Sequence, residues 1–200
     1  MGEIVGILLA AGRGSRFDPS GRRSKLLEPA PTGRYAGKPL AEAAARNLRD
    51  ALEEVVAVVR PADGAAQRRL HDVLAEAGCR LLVNERADEG IGTSLACGVV
   101  ATAHAAGWIV ALADMPAIEP GSIRAVAQAL RDGCETAAPF FGDRRGHPVG
   151  FARALYEPLA ALRGDEGARS LLVTHPPHRV EVADRGVLLD FDTAAGLARA

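Results

Sequence analysis

Apolar positions along the chain fall into short dense runs separated by polar, glycine-rich joints. The runs at residues 3–9, 54–60, 79–83 and 108–113 are rich in Val, Ile, Leu and Ala and each predicts a strand, the first two buried within a parallel sheet. Between them the spacing turns helical. Residues 39–52 place Pro39 in a first turn and Leu40, Ala44, Leu48 and Leu52 along one face, and residues 65–77 make a second helix closed by Gly78. A third helix opens at Thr93 or Ser94 and runs to about His104, and a fourth follows Pro120 and is stopped by Gly133.

Residues 136–141 and 146–151 flank the polar turn Gly142-Asp143-Arg144-Arg145 and predict antiparallel neighbours. Residues 152–162 and 166–174 have helical spacing and are divided by Gly164-Asp165; short runs at 179–182 and 186–189 then lead to a final short helix. Strand alternating with helix predicts one α/β domain over residues 1–200: three layers around a doubly wound, mostly parallel sheet with one antiparallel strand. Ligands of such sheets sit beyond the carboxyl ends of the strands, where Gly12, Asn84 and Asp114 all fall.

Composition removes several classes of function. At 200 residues and 48% hydrophobic content the chain suits one core, and its net charge of −1 leaves no broad basic face for nucleic acid. No charged leader precedes the first strand and no apolar run approaches the ~20 residues that span a bilayer, so a soluble, cytoplasmic protein with no membrane partner is expected. Cys79, Cys97 and Cys134 are widely spaced and odd in number, which fits small core residues rather than disulfides or zinc ligands. Lys25 and Lys38 are the only lysines, so chemistry that needs an ammonium has two candidates.

The first strand runs into Leu9-Ala10-Ala11-Gly12-Arg13-Gly14-Ser15-Arg16-Phe17. Gly12 and Gly14 permit close backbone approach and positive φ, so successive N–H groups can converge on an anion. From Arg13 to Lys25 stand Arg13, Arg16, Arg22, Arg23 and Lys25 against Asp18 alone, a local excess of positive charge that points to a polyphosphate. A second anion-seeking feature is Gly90-Ile91-Gly92-Thr93-Ser94, where a helix start offers free N–H donors and the positive end of its dipole. Dinucleotide cofactors are disfavoured, since Phe17 stands in place of the third glycine and the second strand ends in Arg60 rather than an acid. Residues 33–39 imitate a phosphate loop but are one residue short, follow no strand and have no Ser or Thr after Lys38. The five histidines make no H-x-x-x-H pair, so no zinc is expected.

Taken in order, Leu9-Ala10-Ala11-Gly12-x-Gly14-x-Arg16-Phe17, Lys25-Leu26-Leu27, Gly92-Thr93-Ser94-Leu95, Leu112-Ala113-Asp114-Met115-Pro116, Gly146-His147-Pro148-Val149-Gly150-Phe151 and Asp190-Phe191-Asp192-Thr193 resemble the molybdenum cofactor nucleotidyltransferases over nearly the whole chain. The resemblance implies a Rossmann-like nucleotidyltransferase fold and transfer of a nucleoside monophosphate to the terminal phosphate of the pterin cofactor, with release of pyrophosphate. Phosphate chemistry agrees: a monoester phosphate, with its second pKa near ~6, is mostly dianionic at neutral pH and needs charge neutralisation rather than a base.

By the same resemblance, Leu9, Ala10, Ala11, Gly12, Gly14, Ser15, Arg16 and Lys25 would hold the nucleotide, with Arg16 and Lys25 catalytic on its triphosphate. Ser94 and the chain near Asn84 would meet base and ribose, and His147 would face the acceptor. Asp114, also catalytic, would bind Mg²⁺, or Mn²⁺ in its place, with Asp192 as second carboxylate and Asp190 as its alternative. The bridge from Phe17 to Lys25 is longer than is usual in the family, which keeps Lys38 as a competing lysine. Ala11 resembles the cytidylyl branch: a methyl beneath the base excludes a larger purine, so CTP is expected, with GTP the alternative. Other readings are a different phosphorylated acceptor, such as a sugar phosphate, or a chaperone that delivers the cofactor to a molybdenum hydroxylase apoenzyme without turnover.

Overall fold

The computed structural model describes residues 2–14, 17–18 and 23–191. Its strands are β1 (Ile4–Leu9), β2 (Glu54–Val59), β3 (Arg80–Val83), β4 (Gly107–Leu112), β5 (Thr136–Phe141), β6 (Arg144–Arg145), β7 (Val149–Ala152) and β8 (His178–Glu181). They lie in one sheet in the order β3-β2-β1-β4-β7-β5-β6, with β8 also paired to β5. β1, β2, β3 and β4 are mutually parallel, and β7 runs antiparallel between β4 and β5. The chain travels outward from β1 to β3 and then returns to β4 on the other side of β1. This reversal leaves a crevice at the carboxyl ends of β1 and β4.

The helices are α1 (Leu40–Arg49), α2 (Ala65–Glu76), α3 (Ile91–Ala101), α4 (Pro120–Arg131), α5 (Tyr156–Ala160) and α6 (Arg169–Thr174). The period-two alternation of the apolar strands divides between two cores. Ile4 and Leu8 of β1 join Ala41, Ala44 and Leu48 of α1 and Ile123 and Val126 of α4 on one face. Val5 and Ile7 join Leu95 and Val99 of α3 and Leu159 of α5 on the other. α3 sits close to the sheet because a Cβ at Gly98 would come 2.8 Å from Ile7 Cγ2.

Two expectations about elements are corrected. α3 begins at Ile91 rather than Thr93 or Ser94, because Gly90 is the residue before the helix and Thr93 Oγ1 donates back to the carbonyls of Gly90 (2.8 Å) and Arg86 (2.9 Å). The strand expected over 146–151 starts later: Arg144 and Arg145, expected in the turn, pair with the end of β5, a cis His147–Pro148 bond follows, and only Val149–Ala152 enters the sheet centre. Pro148 has no N–H for a ladder, so a break there is natural. Antiparallel β7 is thus joined by the two-residue β6. The run at 186–189 falls in a 3₁₀ turn (Arg185–Leu188). The final helix expected from the sequence lies outside the described residues.

That turn reaches back to α4. Asp184, buried, accepts hydrogen bonds from the Glu119 backbone N–H and the Ser122 hydroxyl (both 2.8 Å) through Oδ2, and from the Gly186 N–H (2.7 Å) through Oδ1. α4 has no side-chain cap from its own sequence, and this carboxylate serves as one from a distance. Among the described residues no helix is long and apolar enough to cross a membrane.

Candidate functional site

A cavity of about 410 Å³ opens at the crevice between β1 and β4, within the ~300–1,000 Å³ common for small-molecule sites. The backbone from Leu9 to Gly14 forms one wall. Ala10 and Ala11 are buried, Ala10 N–H donating to the Val58 carbonyl at 2.9 Å, so their chain path is held by the sheet. Beyond them the turn opens outward: a Cβ at Gly12 or Gly14 would meet nothing within 4 Å, and Gly14 takes φ +64°. Glycine here keeps the peptide groups uncovered for a ligand.

Lys25 and Asp114 meet in this cavity. Leu26, buried in the core, pins the 3₁₀ turn Lys25–Leu27, and β4 delivers Asp114 just past its carboxyl end. Lys25 Nζ donates to Asp114 Oδ2 at 2.7 Å, with the two side chains only 10% and 20% exposed. Shielding of this degree sets the pair apart from ordinary surface ion pairs. Lys38 lies elsewhere, on the exposed surface, 3.5 Å from Glu42 Oε1. Of the two lysines, Lys25 is the one brought to the strand end.

The last described segment closes over the same point. Phe191 packs with Ala30, Leu40 and Ala43, and its N–H donates to the Asp114 carbonyl at 3.2 Å. Asp190 is thereby carried to the Asp114 side of the sheet, whereas Asp192 lies outside the described residues, as do Ser15 and Arg16. Among the described residues no three His, Cys, Asp or Glu side chains form a ready metal cage. Asp190 lines a neighbouring pocket with Asp184 and Phe191 rather than this cavity, so a hard divalent ion completed by substrate phosphates would have Asp114 as its carboxylate here.

On the opposite wall Ser94 faces the cavity, and Asn84 stands behind it, away from the lining. Asn84 Nδ2 donates to Ser94 Oγ (3.0 Å) and Thr93 Oγ1 (3.2 Å), while its Oδ1 accepts from Arg86 N–H (3.0 Å). Asn84 therefore sets the Ser94 hydroxyl in place. The start of α3 is also less open than the sequence suggests. Gly92 N–H donates to the Gly164 carbonyl at 2.8 Å and Thr93 N–H to the Gly90 carbonyl at 3.2 Å. Gly90, at φ +112°, lies so close to the 164–165 loop that a Cβ would come 2.3 Å from the Gly164 carbonyl carbon. That packing brings Asp165 into the cavity wall.

His147 is outside the cavity lining. Its Nδ1 is buried without a hydrogen-bond partner, and its backbone N–H donates to the Val187 carbonyl at 2.9 Å. Burial pushes the imidazole pKa below its ordinary value; Arg145 adds to this, and Asp114 and Asp190 oppose it without prevailing. The structure thus gathers Leu9, Ala10, Ala11, Gly12, Gly14, Lys25, Ser94 and Asp114 around one space, and leaves Asn84 and His147 just beyond it. Sequence reasoning missed Asp88 and Asp165 as lining residues. Both sit in polar loops whose approach to β1 is decided by packing, and only the glycines beside them, Gly90 and Gly164, carried a signal.

Comparisons with known proteins agree with this arrangement. The model of the MobA-like NTP transferase domain matches residues 6–180. The chain is 29% identical over 208 residues to nicotine blue oxidoreductase of Paenarthrobacter nicotinovorans, covering 98% of this chain and 95% of that protein. It is similar in structure to Rv0371c of Mycobacterium tuberculosis H37Rv, with a TM-score of 0.80, 26% identity and coverage of 98% and 97% of the two chains. The manganese complex of Rv0371c aligns with a TM-score of 0.75 at 27% identity, over the same shares of the two chains.

Proposed function

The chain belongs to the MobA-like NTP transferase domain family and is a nucleotidyltransferase, and from that premise we propose that it moves CMP from CTP to the terminal phosphate of a molybdopterin-type cofactor, in the cytoplasm and as a single domain over residues 1–200. The observation that carries this reading is the shielded Lys25–Asp114 pair facing the uncovered glycine turn across one cavity. The first holds an ammonium and a carboxylate where phosphates meet; the second supplies backbone donors to them.

In the proposed reaction an oxygen of the acceptor phosphate attacks the α-phosphorus of the nucleotide. A P–O bond to that phosphorus forms as the bond to the bridging β-oxygen breaks, and pyrophosphate leaves with the electron pair. The attacking dianion carries no proton to remove. Lys25, pre-oriented by Asp114, stabilises the charge that develops on the triphosphate, and little solvent weakens its effect. A divalent ion bound at Asp114 with Asp192 would neutralise phosphate charge and favour in-line attack; the manganese complex of Rv0371c supports divalent metal use. Ala11, a buried residue that lines the cavity, favours the smaller pyrimidine, and Ser94, placed by Asn84, offers a hydroxyl to the nucleoside.

The test is pyrophosphate release from protein, Mg²⁺, molybdenum cofactor and each nucleoside triphosphate in turn. Release with CTP is expected; release with GTP alone overturns the base assignment, and release with none overturns the acceptor. A second reading arises from the name of the Paenarthrobacter relative, which is that of an oxidoreductase. Hydride transfer would require a dinucleotide at the glycine turn, where Phe17 replaces the third glycine and Arg60 is engaged by Asp88. Oxidation of a reduced nicotinamide dinucleotide by the purified protein would favour that reading over ours.

A further inference from the structure

A polyphosphate cavity with a carboxylate in its wall presents an electrostatic conflict. Asp88, in the 3₁₀ turn Ala87–Glu89, lines the same cavity as the glycine turn, and alone it would repel a triphosphate. Two guanidiniums meet it. Arg13 reaches across from the glycine turn as a two-pronged fork, its Nε 2.7 Å from Asp88 Oδ1 and its Nη2 2.6 Å from Oδ2. Arg60, just past the end of β2, donates to the same Oδ1, and together the two cations hold the Asp88 carboxyl well below the usual carboxylate range.

The parts of this triad differ in how firmly they are held. Arg60 is largely buried, with its side chain 16% exposed, and follows β2, which is paired on both sides by β1 and β3. Arg13 is 65% exposed and stands between Gly12 and Gly14, at each of which a Cβ would meet nothing within 4 Å. Asp88, 52% exposed, links the rigid member to the loose one. Exposed pairs of this kind contribute little to folding, so the consequence of the bridge lies in where it leaves Arg13. A fork through Nε and Nη2 leaves the remaining amino nitrogen of the guanidinium for another acceptor.

We propose that Asp88, anchored by Arg60, is a positioning residue that holds Arg13 at the cavity so that its guanidinium binds the phosphates of the nucleotide. The inference rests on the reading of this cavity as a nucleoside triphosphate site. It predicts the opposite sign to simple electrostatics. Removing a negative charge from the wall of an anion site should tighten binding, whereas loss of the residue that orders Arg13 should loosen it.

Calorimetric titration of the full chain with CTP and with GTP, each with Mg²⁺, separates the two. Asp88→Asn and Arg13→Ala are each expected to weaken nucleotide binding about tenfold, the scale of one lost charge-assisted contact. The double variant is expected to bind no more weakly than Arg13→Ala alone, since Asp88 acts through Arg13. Arg13→Lys should recover little, because an ammonium cannot form the fork. Unchanged or tighter binding by Asp88→Asn, or additive losses in the double variant, overturns this inference alone. A wild-type protein that binds neither nucleotide overturns the triphosphate reading, and this inference with it.

Discussion

Lys25 and Asp114 illustrate how far single residues can be followed from sequence to site. The scarcity of lysine reduced one role to two candidates, and burial of Leu26 explains why the nearer one reaches the strand end while Lys38 stays on the surface beside Glu42. Lys25→Ala and Asp114→Asn are each expected to lower kcat/KM by at least ~10²-fold, as loss of a transition-state electrostatic contact commonly does. Lys38→Ala should retain nearly full activity, and steady-state kinetics on the three folded variants checks the contrast. His147 makes a different prediction. Its pKa is depressed in the folded protein, so as pH falls through its unfolded value of about 6.5 the unfolded chain takes up a proton before the native one does. Its contribution is therefore present in full above that pH and is lost on acidification. Urea midpoints measured on either side of pH ~6.5 should fall less in His147→Gln than in wild type; an equal fall would assign the acid sensitivity to other groups.

At the scale of elements, the strands buried on both faces were legible because nothing but a sheet interior accommodates runs such as residues 55–59. What the sequence hid depended on contacts between distant segments. The start of α3 follows from Gly90 and the hydroxyl of Thr93, and the late start of β7 follows from Pro148 and the pairing of Arg144 and Arg145 with β5. Asp184 is the clearest case, a cap for α4 supplied from 62 residues beyond Ser122. Asp184→Ala leaves the Glu119 and Gly186 N–H groups and the Ser122 hydroxyl without their acceptor, and a loss of about 1–3 kcal/mol is expected in urea unfolding. A change within error would mean that water replaces the carboxylate there. Since Gly186 approaches so closely that a Cβ would come 2.1 Å from the Ala117 carbonyl oxygen, the same packing helps seat Phe191 beside Asp114.

Over the whole molecule, the reversal of strand order between β1 and β4 joins the glycine turn to Asp114 and leaves the cavity between them. The class of fold and the strand-end location of the site were readable from alternating strands and helices, and the cation excess of the turn was readable against a net charge of −1. The Arg13–Asp88–Arg60 bridge and the Asp165 wall were not, because each arises only when loops from separate βα units converge. The central claim is transfer of a nucleotidyl group onto an acceptor phosphate, and label transfer from CTP carrying ³²P at the α-position tests it most directly. The account predicts that the label appears in a pterin dinucleotide in step with pyrophosphate release, and that Asp114→Asn abolishes both. Recovery of unlabelled cofactor, with all the label still in CTP, would contradict it.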